Sequence, residues 1–274
     1  LISQYFNENY YSNTNLFKQY GYGLRKYKSI FIDEIQDYTP EWIYIIKNYM
    51  LEEDGEMVLF GDEKQNIYHN RLDNDKKIQT IPGFNEWDYL TQATRQLGDG
   101  DRIVDLSKKF QKAYFKGKYE LDNYENQINQ LKLEKGIFKV AKYERTFDEA
   151  SDKHNKEIDN MLQIILEEIK NKNIHNNDFC ILSSRIDVLK EIDYTLRNKY
   201  SLKTMTTFES KERFITTGKV KNNPIGAIHR NKKLHFWSNS GTIKLATIHS
   251  YKGFESQTVF LILNDRDDPE QVYA

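Results

Sequence analysis

Two adjacent carboxylates follow a short apolar run near the start of the chain. Residues 30–37 read Ile-Phe-Ile-Asp-Glu-Ile-Gln-Asp, so Asp33 and Glu34 come directly after a β-branched and aromatic segment that predicts a fully buried strand. At the carboxyl edge of a parallel sheet, such side chains face the crevice in which open α/β folds bind ligands. One carboxylate could hold a hydrated Mg²⁺ and the other could take a proton from an attacking water, as hydrolysis of a nucleoside triphosphate requires. Taken alone, the pair is more often a strand followed by a polar turn.

A second polar segment follows the next predicted strand. Residues 61–68 read Gly-Asp-Glu-Lys-Gln-Asn-Ile-Tyr, and Gly61 permits a tight turn and a close approach of the backbone to a ligand. Gln65 can both donate and accept hydrogen bonds, so it could touch a terminal phosphate and the attacking water together. Without further context, this segment too is more often a simple polar loop.

A third segment follows the strand predicted at 243–247. Residues 247–255 read Thr-Ile-His-Ser-Tyr-Lys-Gly-Phe-Glu. Hydroxyl, imidazole and ammonium groups there could bind the phosphates of a nucleic-acid backbone, and a carboxylate such as Glu255 suits a ribose hydroxyl. His249 taken singly is more often a structural histidine than a catalytic one.

Together and in this order, the three segments resemble motifs of the superfamily 1 DNA helicases of the UvrD/Rep/PcrA type. The matching motifs are motif II at 33–37, motif III at 61–68 and motif V at 247–255. Thr94-Arg95 resembles the Tyr-Arg of motif IV, with Thr94 in place of the tyrosine, and residues 178–185 are similar to a strand and polar turn of the second motor domain. The resemblance covers nearly all of residues 28–263.

The resemblance implies an α/β fold made of two RecA-like, parallel-sheet P-loop NTPase domains, the first of them incomplete. Residues 1–92 would be the C-terminal part of the first, ATP-binding domain. Residues 93–274 would be the second domain, with a short basic insertion at about 199–242. The implied activity is that of an ATP-dependent helicase or translocase that uses ATP and Mg²⁺ and moves on single-stranded DNA.

The resemblance also assigns individual roles. The residues implied to act in catalysis are Asp33 as the Mg²⁺ ligand, Glu34 as the general base, Gln65 as the sensor of the γ-phosphate, and Arg95, which would reach that phosphate from the second domain. The residues implied to bind the nucleotide are Gln36, Asp37, Gly253 and Glu255. The residues implied to contact the DNA strand are Tyr68, Arg71, Thr247, His249 and Lys252.

The sequence departs from the family's pattern at three points. No Gly-x-x-x-x-Gly-Lys-Ser/Thr loop occurs in it, so nothing is predicted to cradle the β- and γ-phosphates. Motif VI, with its second arginine, is missing, and the aromatic-Arg pair that follows motif III is here Asn70-Arg71. We expect the chain to be a piece of a longer protein, and a phosphate loop upstream of Leu1 would supply the missing half of the ATP site.

Two other functions stay open at this stage. A helicase-like module that binds DNA or a partner protein without hydrolysing ATP would explain the missing phosphate loop. A helicase subunit joined to a nuclease, in repair or in defence against foreign DNA, would fit the reduced insertion.

The elements that must position these residues alternate along the chain. A strand at 29–32, a helix from Pro40 with Thr39 as its cap, and a strand at 56–60 predict a βαβ unit. The further predicted elements are helices at 100–115, 147–171 and 186–198 and strands at 136–140, 179–182, 243–247 and 258–263. This alternation is typical of a parallel α/β protein.

Composition excludes several classes of protein. Of 274 residues, 38% are hydrophobic and 19 are tyrosines, which favours a globular chain over a disordered one. No apolar run reaches the roughly 20 residues that span a bilayer. Cys180 is the only cysteine, so no internal disulfide can form, and without a signal-peptide pattern the chain fits a reducing cytoplasm.

The net charge of −1 excludes a uniformly basic nucleic-acid binder, so phosphate contacts must come from a local patch. The predicted insertion at 199–242 carries such a patch. Its lysines and arginines alternate with aromatic residues that could stack on bases, namely Phe208, Phe214, Phe236 and Trp237. A solvated loop explains the same composition equally well.

Overall fold

The computed structural model describes residues 12–65, 83–84, 87–88, 90, 102–122, 138–143, 152–210, 232–233, 235–237 and 239–273. The chain divides into two compact units. The first consists of Leu1–Phe138 with Tyr273–Ala274, and the second of Lys139–Val272. The predicted boundary between residues 92 and 93 lies outside the described residues and stays a prediction.

The first unit contains the predicted βαβ arrangement. Its elements are α1 (Thr14–Tyr20), β1 (Tyr27–Ile32), α2 (Pro40–Ile45) with a following π-helical turn (Ile46–Met50), β2 (Leu51–Leu59) and α3 (Arg102–Tyr114). The two strands run parallel, with Phe31 opposite Val58 and Ile32 opposite Leu59. The predicted strand–helix–strand order is therefore confirmed.

The start of α2 follows from Pro40, whose fixed φ and missing N–H suit the first helical position. The side chain of Thr39 makes no cap hydrogen bond, so its predicted capping role is wrong. Burial holds this helix instead, because Ile43 and Ile45 are almost completely buried. Ile43 belongs to a core cluster with Ile32 and Ile35.

The prediction that β1 and β2 are fully buried is wrong. Ile32 is the single buried residue of β1, and β2 has none. On the outer face, Phe31 is 68% exposed and Val58 is 38% exposed. The reason is that, among the described residues, this sheet has only two strands. Only one of its faces is covered, by α2 and the turn before it.

The second unit contains a four-stranded sheet in which every pair of neighbouring strands is parallel, in the order β4–β5–β3–β6. Its elements are α4 (Asp152–Asn171), β3 (Phe179–Ser183), α5 (Ile186–Asn198), β4 (Thr204–Thr206), β5 (Ile243–Thr247), α6 (Ile248–Tyr251) and β6 (Thr258–Ile262), and α7 (Pro269–Tyr273) ends the described chain. The predicted helices in this region and the strands at 179–182, 243–247 and 258–263 are confirmed.

The core of this unit lies between one face of the sheet and helices α4 and α5. All five residues of β3 are buried, as expected of a central strand in a parallel sheet. The core residues from the helices are apolar and recur at helical spacing: Ile158, Met161, Leu162, Ile165, Val188, Leu189, Ile192 and Leu196.

The strand predicted at the start of this unit is wrong, and the predicted insertion contains a strand. No strand forms at residues 138–140, the described part of the segment predicted as a strand at 136–140; Phe138 and Val140 are exposed and pair with no described strand. Within the predicted insertion, residues 204–206 form β4, which pairs with β5. A short segment can become a strand when a neighbouring edge satisfies its backbone, whatever its local sequence favours.

The aromatic residues of the insertion divide into two groups. Phe208 and Phe236 are 1% and 4% exposed and pack into the core, so their predicted availability for stacking on bases is wrong. Trp237 is 64% exposed. Phe214 lies outside the described residues.

The structure is a mixed α/β fold with parallel sheets. Among the described helices, none is long and apolar enough to cross a membrane.

Candidate functional site

The carboxyl ends of β1 and β2 are joined by backbone hydrogen bonds beyond the regular strand pairing. The Phe60 N–H donates to the Ile32 carbonyl at 2.8 Å, and the Ile35 N–H donates to the Phe60 carbonyl at 2.8 Å. The turn that follows β1 and the segment that leaves β2 are thereby fixed to each other.

A buried glutamine completes this connection. Gln36 is completely buried, and its side-chain Nε2 donates to the Glu34 carboxylate. Its Oε1 accepts from the Asp62 N–H at 3.1 Å. Both ends of the amide are engaged, as the burial of an uncharged polar group requires.

Gly61 lies against this amide. A Cβ atom built on Gly61 would lie 2.4 Å from Ile35 Cγ2 and 2.7 Å from Gln36 Oε1. Both distances are below van der Waals contact, so the two strand ends can approach this closely only if position 61 has no side chain. Gly61 thus permits a close approach within the protein itself, and its predicted approach to a ligand stays a prediction.

The two predicted carboxylates stand at the start of the turn. Glu34 has φ 54° and ψ 46°, in the left-handed region that few residues other than glycine adopt. Its N–H donates to Asp33 Oδ1 at 2.9 Å. Strained backbone of this kind is concentrated at functional sites, because the surrounding contacts must hold it in place.

The third predicted side chain is oriented by Asp62. Gln65 lies in a short 3₁₀ turn, Glu63–Gln65, and its Nε2 donates to Asp62 Oδ2 at 3.1 Å. The Lys64 N–H donates to the other oxygen of that carboxylate, Asp62 Oδ1, at 3.0 Å.

These side chains surround a cleft of about 500 Å³. Its lining residues are Phe31, Asp33, Glu34, Phe60, Gly61, Asp62, Gln65 and Leu90. Asp33, Glu34 and Gln65 are therefore brought together, as expected for residues that follow two adjacent parallel strands. Gln36 and Asp37, predicted to bind the nucleotide, do not line this cleft.

The donor set of the cleft suits one hydrated Mg²⁺ rather than a metal held by protein groups alone. Among the described residues, no cluster of three or more His, Cys, Asp or Glu side chains could hold a metal ion. Mg²⁺ in phosphoryl-transfer sites is usually bound by one or two carboxylates, water and the phosphates of the substrate. Asp33 is an exposed carboxylate at the cleft and fits that role.

In the second unit, the predicted DNA-contacting residues lie at the carboxyl end of β5. Thr247 caps α6, with its side-chain oxygen accepting from the Ser250 N–H at 3.3 Å. A ring nitrogen of His249 lies 2.6 Å from Gln271 Nε2. The chain then turns at Gly253, whose φ of 84° favours glycine. Lys252 is half-buried and Glu255 is exposed.

A small buried cluster of side chains packs against α6. Tyr251 and Cys180 are 6% and 0% exposed and belong to one core cluster. The Tyr251 hydroxyl forms a short hydrogen bond with Ser256, and burial raises the pKa of Tyr251 well above its usual value. This hydroxyl is therefore neutral in the physiological range.

Sequence reasoning missed a polar network behind the cleft. Lys64 is 7% exposed, and its Nζ lies 2.8 Å from Asp122 Oδ1 and 3.5 Å from Asp62 Oδ1. The Asp122 carboxylate is held in turn by Gln111 Nε2 at 2.8 Å and by the Tyr273 hydroxyl at 3.3 Å. The sequence around Lys64 does not indicate which distant residues it contacts, although a buried ammonium requires such partners.

Lys64 and Tyr273 each keep one protonation state near neutral pH. Burial alone lowers the pKa of Lys64, but the charge of Asp62 and the hydrogen bond to Asp122 raise it by more, so the pKa lies above its ordinary value. Burial raises the pKa of Tyr273 to about 12. Lys64 is accordingly an ammonium and Tyr273 a neutral donor.

Three residues of the predicted site lie outside the described residues: Tyr68, Arg71 and Arg95. Their roles stay predictions.

Comparison with known proteins supports the relationship drawn from the motifs. Residues 4–82 match the sequence model of the UvrD/REP helicase N-terminal domain. This range contains the cleft residues that follow β1 and β2, and it supports a UvrD-like helicase origin for this part of the chain. No curated protein matches the chain.

Replacing Gly61 tests the close approach of the two strand ends. Gly61→Ala should lower the free energy of unfolding by about 1–3 kcal/mol, because the added methyl group overlaps Ile35 and the Gln36 amide. Chemical denaturation measures the change. Gly23→Ala is the matched control, since a Cβ there would have no atom within 4 Å. Equal effects of the two substitutions would contradict this reading of Gly61.

Proposed function

We propose that this chain carries the hydrolytic half of the ATP site of a UvrD-type DNA helicase or translocase, together with part of its single-stranded DNA contacts. The match of residues 4–82 to the UvrD/REP helicase N-terminal domain supports a helicase-type function. The observation that carries the proposal is the convergence of Asp33, Glu34 and Gln65 on one cleft at the carboxyl ends of two parallel strands. Ligands in open α/β sheets bind at this edge.

Glu34 is the group we assign as general base. It lines the cleft, and the Gln36 amide donates a hydrogen bond to its carboxylate. This hydrogen bond fixes the direction of the carboxylate. Glu34 is thus held ready to accept a proton from a water that attacks the terminal phosphate of ATP.

Gln65 is the group we assign to orient that water. Its Nε2 donates to Asp62 and thereby fixes the plane of the amide at the cleft wall. A neutral amide can contact water and phosphate at the same time without adding charge to the site. Orientation of this kind accounts for much of the catalysis in phosphoryl transfer, since the protein supplies little covalent chemistry.

Asp33 is the residue that would hold Mg²⁺. A bound Mg²⁺ neutralises charge that develops on the phosphate oxygens. The Asp33 oxygen that accepts from the Glu34 N–H is fixed in place, which directs the carboxylate toward the cleft. As the resemblance implies, Arg95 would contact the γ-phosphate and Glu255 the ribose.

The segment at the carboxyl end of β5 is the part of the chain that we assign to contact the DNA strand. Thr247, His249 and Lys252 follow this strand within a single turn of helix and its exit. Hydroxyl, imidazole and ammonium groups together suit the phosphates of a backbone, without reading the bases. The exposed ring of Trp237 in the same unit adds a face on which a base could stack.

One feature of the sequence favours a second candidate function. The chain contains no phosphate-binding loop of the Gly-x-x-x-x-Gly-Lys-Ser/Thr type. A helicase-like module that binds DNA or a partner protein without hydrolysing ATP would need none. Association with a nuclease subunit and a cytoplasmic location stay predictions.

Substitution of the proposed base separates these two functions. In the full-length protein, Glu34→Gln should lower DNA-stimulated ATP hydrolysis at least about 100-fold, because the amide cannot accept the proton. The affinity for ATP should stay within about threefold, since binding does not need the base. Steady-state turnover and titration with a fluorescent ATP analogue measure the two effects.

Glu41→Gln is the matched control for Glu34→Gln, because Glu41 is exposed on α2 and does not line the cleft. It should hydrolyse ATP as the wild type does. Undiminished turnover in Glu34→Gln would show that the assignment of the base is wrong. Absence of turnover in the wild type with DNA present would favour the non-catalytic module.

Replacement of Lys252 tests the DNA contact. Lys252→Ala should weaken binding to single-stranded DNA several-fold and reduce the slope of log K against log salt by about 0.7, the share of one phosphate contact. Fluorescence anisotropy over a range of salt concentrations measures both quantities. Lys172→Ala is the control, since Lys172 pairs with Glu168 on α4 and the substitution changes net charge equally. The same slope change in both variants would contradict a specific contact of Lys252.

A further inference from the structure

We propose that Lys64 is a positioning residue of the cleft, which acts through Asp62 to hold the Gln65 amide in its working orientation. The inference rests on the proposed function, because it assigns Gln65 to the attacking water. Lys64 itself does not line the cleft. Its effect on the reaction must therefore pass through a neighbouring group.

The Asp62 carboxylate is that group, and its two oxygens face different partners. Oδ2 accepts from the Gln65 side chain at 3.1 Å, at the wall of the cleft. Oδ1 accepts from the Lys64 N–H at 3.0 Å and lies 3.5 Å from the Lys64 ammonium. Rotation of the carboxylate would break the contacts on both sides at once. By holding Oδ1, the ammonium thus restrains the whole carboxylate, including the Oδ2 that orients Gln65.

The ammonium is restrained from its other side. It contacts Asp122 Oδ1 at 2.8 Å and the Glu120 carbonyl at 3.4 Å. With Asp62, these partners surround a side chain that is 7% exposed. A buried lysine bound by two carboxylates and a carbonyl keeps one rotamer, because no other position would satisfy its three donors.

Asp122 is anchored to α3 in its turn. The Asp122 N–H donates to Gln111 Oε1 at 2.9 Å, and Gln111 Nε2 donates back to Asp122 Oδ2 at 2.8 Å. Gln111 is 1% exposed and also contacts the Tyr273 hydroxyl at 2.7 Å. The chain of contacts therefore runs from a buried residue of α3 to the amide at the cleft.

A purely structural role would have the same contacts but different consequences. Lys64 would then serve only to attach the segment after α3 to the turn after β2, and its loss would reduce activity in proportion to stability. A positioning role predicts that activity is lost even where stability is restored, and that the loss overlaps with that of Gln65. Double substitutions distinguish the two.

The test measures turnover and thermal stability of full-length variants with single-stranded DNA present. Lys64→Met should lower kcat about 10- to 100-fold, as expected for a misplaced catalytic group, with KM for ATP changed less than about threefold. Lys64→Arg should retain most of the activity, since a guanidinium can also bind both carboxylates.

Two double variants give the decisive results. Lys64→Met combined with Gln65→Ala should be no slower than Gln65→Ala alone, because both changes remove the same oriented amide. Lys64→Met combined with Asp122→Asn removes both charges of this ion pair and keeps an acceptor for the buried Gln111 amide, so it should recover the melting temperature but not kcat. The proposal would be overturned if the first double variant lost kcat by the product of the two single losses. It would also be overturned if the second double variant recovered its kcat.

A spectroscopic measurement keeps this proposal separate from the proposed function. If the wild type hydrolyses no ATP, the proposed function fails, and the ¹⁵N side-chain resonance of Gln65 in this chain still reports its orientation. That resonance, identified by its loss in Gln65→Ala, should differ from those of exposed glutamines and move to their position in Lys64→Met. An unchanged Gln65 resonance in Lys64→Met would overturn the positioning role.

Discussion

The close approach of two parallel strand ends is the constraint on which the rest of the first unit depends. The segment leaving β2 passes so near the turn after β1 that position 61 has no room for a side chain. The Gln36 amide then bridges the Glu34 carboxylate and the Asp62 N–H across this contact. One buried polar group therefore sets the position of the proposed base and of the turn that carries Gln65.

The same constraint explains why an unusual backbone persists at Glu34. A left-handed conformation costs an ordinary residue roughly 1–2 kcal/mol. Backbone hydrogen bonds join Phe60 to Ile32 and Ile35, and the Gln36 amide bridges the turn from the other side. A relaxed turn would lose these contacts, so they offset the cost of the left-handed conformation. As a result the proposed base faces the cleft on a short, rigid turn.

Rigid support also distinguishes the two candidate sites. In the first unit, the cleft residues are fixed by buried polar groups: Gln36 on one side, and Lys64 with Asp122 on the other. In the second unit, α6 rests on an apolar cluster, with Cys180 and Tyr251 among its members. The first arrangement suits chemistry that depends on the direction of hydrogen bonds, whereas the second suits the presentation of charges to a flexible phosphate backbone.

The sequence was most informative where structure follows from local patterns. The bounds of α5 at Ile186–Asn198 and of β5 at Ile243–Thr247 were predictable, because an amphipathic period and a short apolar run leave clear signals. The grouping of Asp33, Glu34 and Gln65 followed from the rule that parallel strand ends meet at one edge.

Non-local contacts account for what the sequence did not reveal. Strand β4 has three residues in a polar stretch and exists because β5 offers it a pairing edge. Lys64 and Asp122 are far apart in sequence, and an ion pair between them leaves no periodic trace in either segment. The exposure of Phe31 was unpredictable for a related reason, because an apolar strand cannot indicate whether both of its faces are covered.

A crystal structure of the full-length protein with a non-hydrolysable ATP analogue and Mn²⁺ would test the central claim most directly. The account predicts an anomalous Mn²⁺ peak within about 2.5 Å of an Asp33 carboxylate oxygen, with the terminal phosphate in the cleft lined by Glu34 and Gln65. A nucleotide bound at another place, with Asp33 and Glu34 taking no part in its contacts, would contradict it.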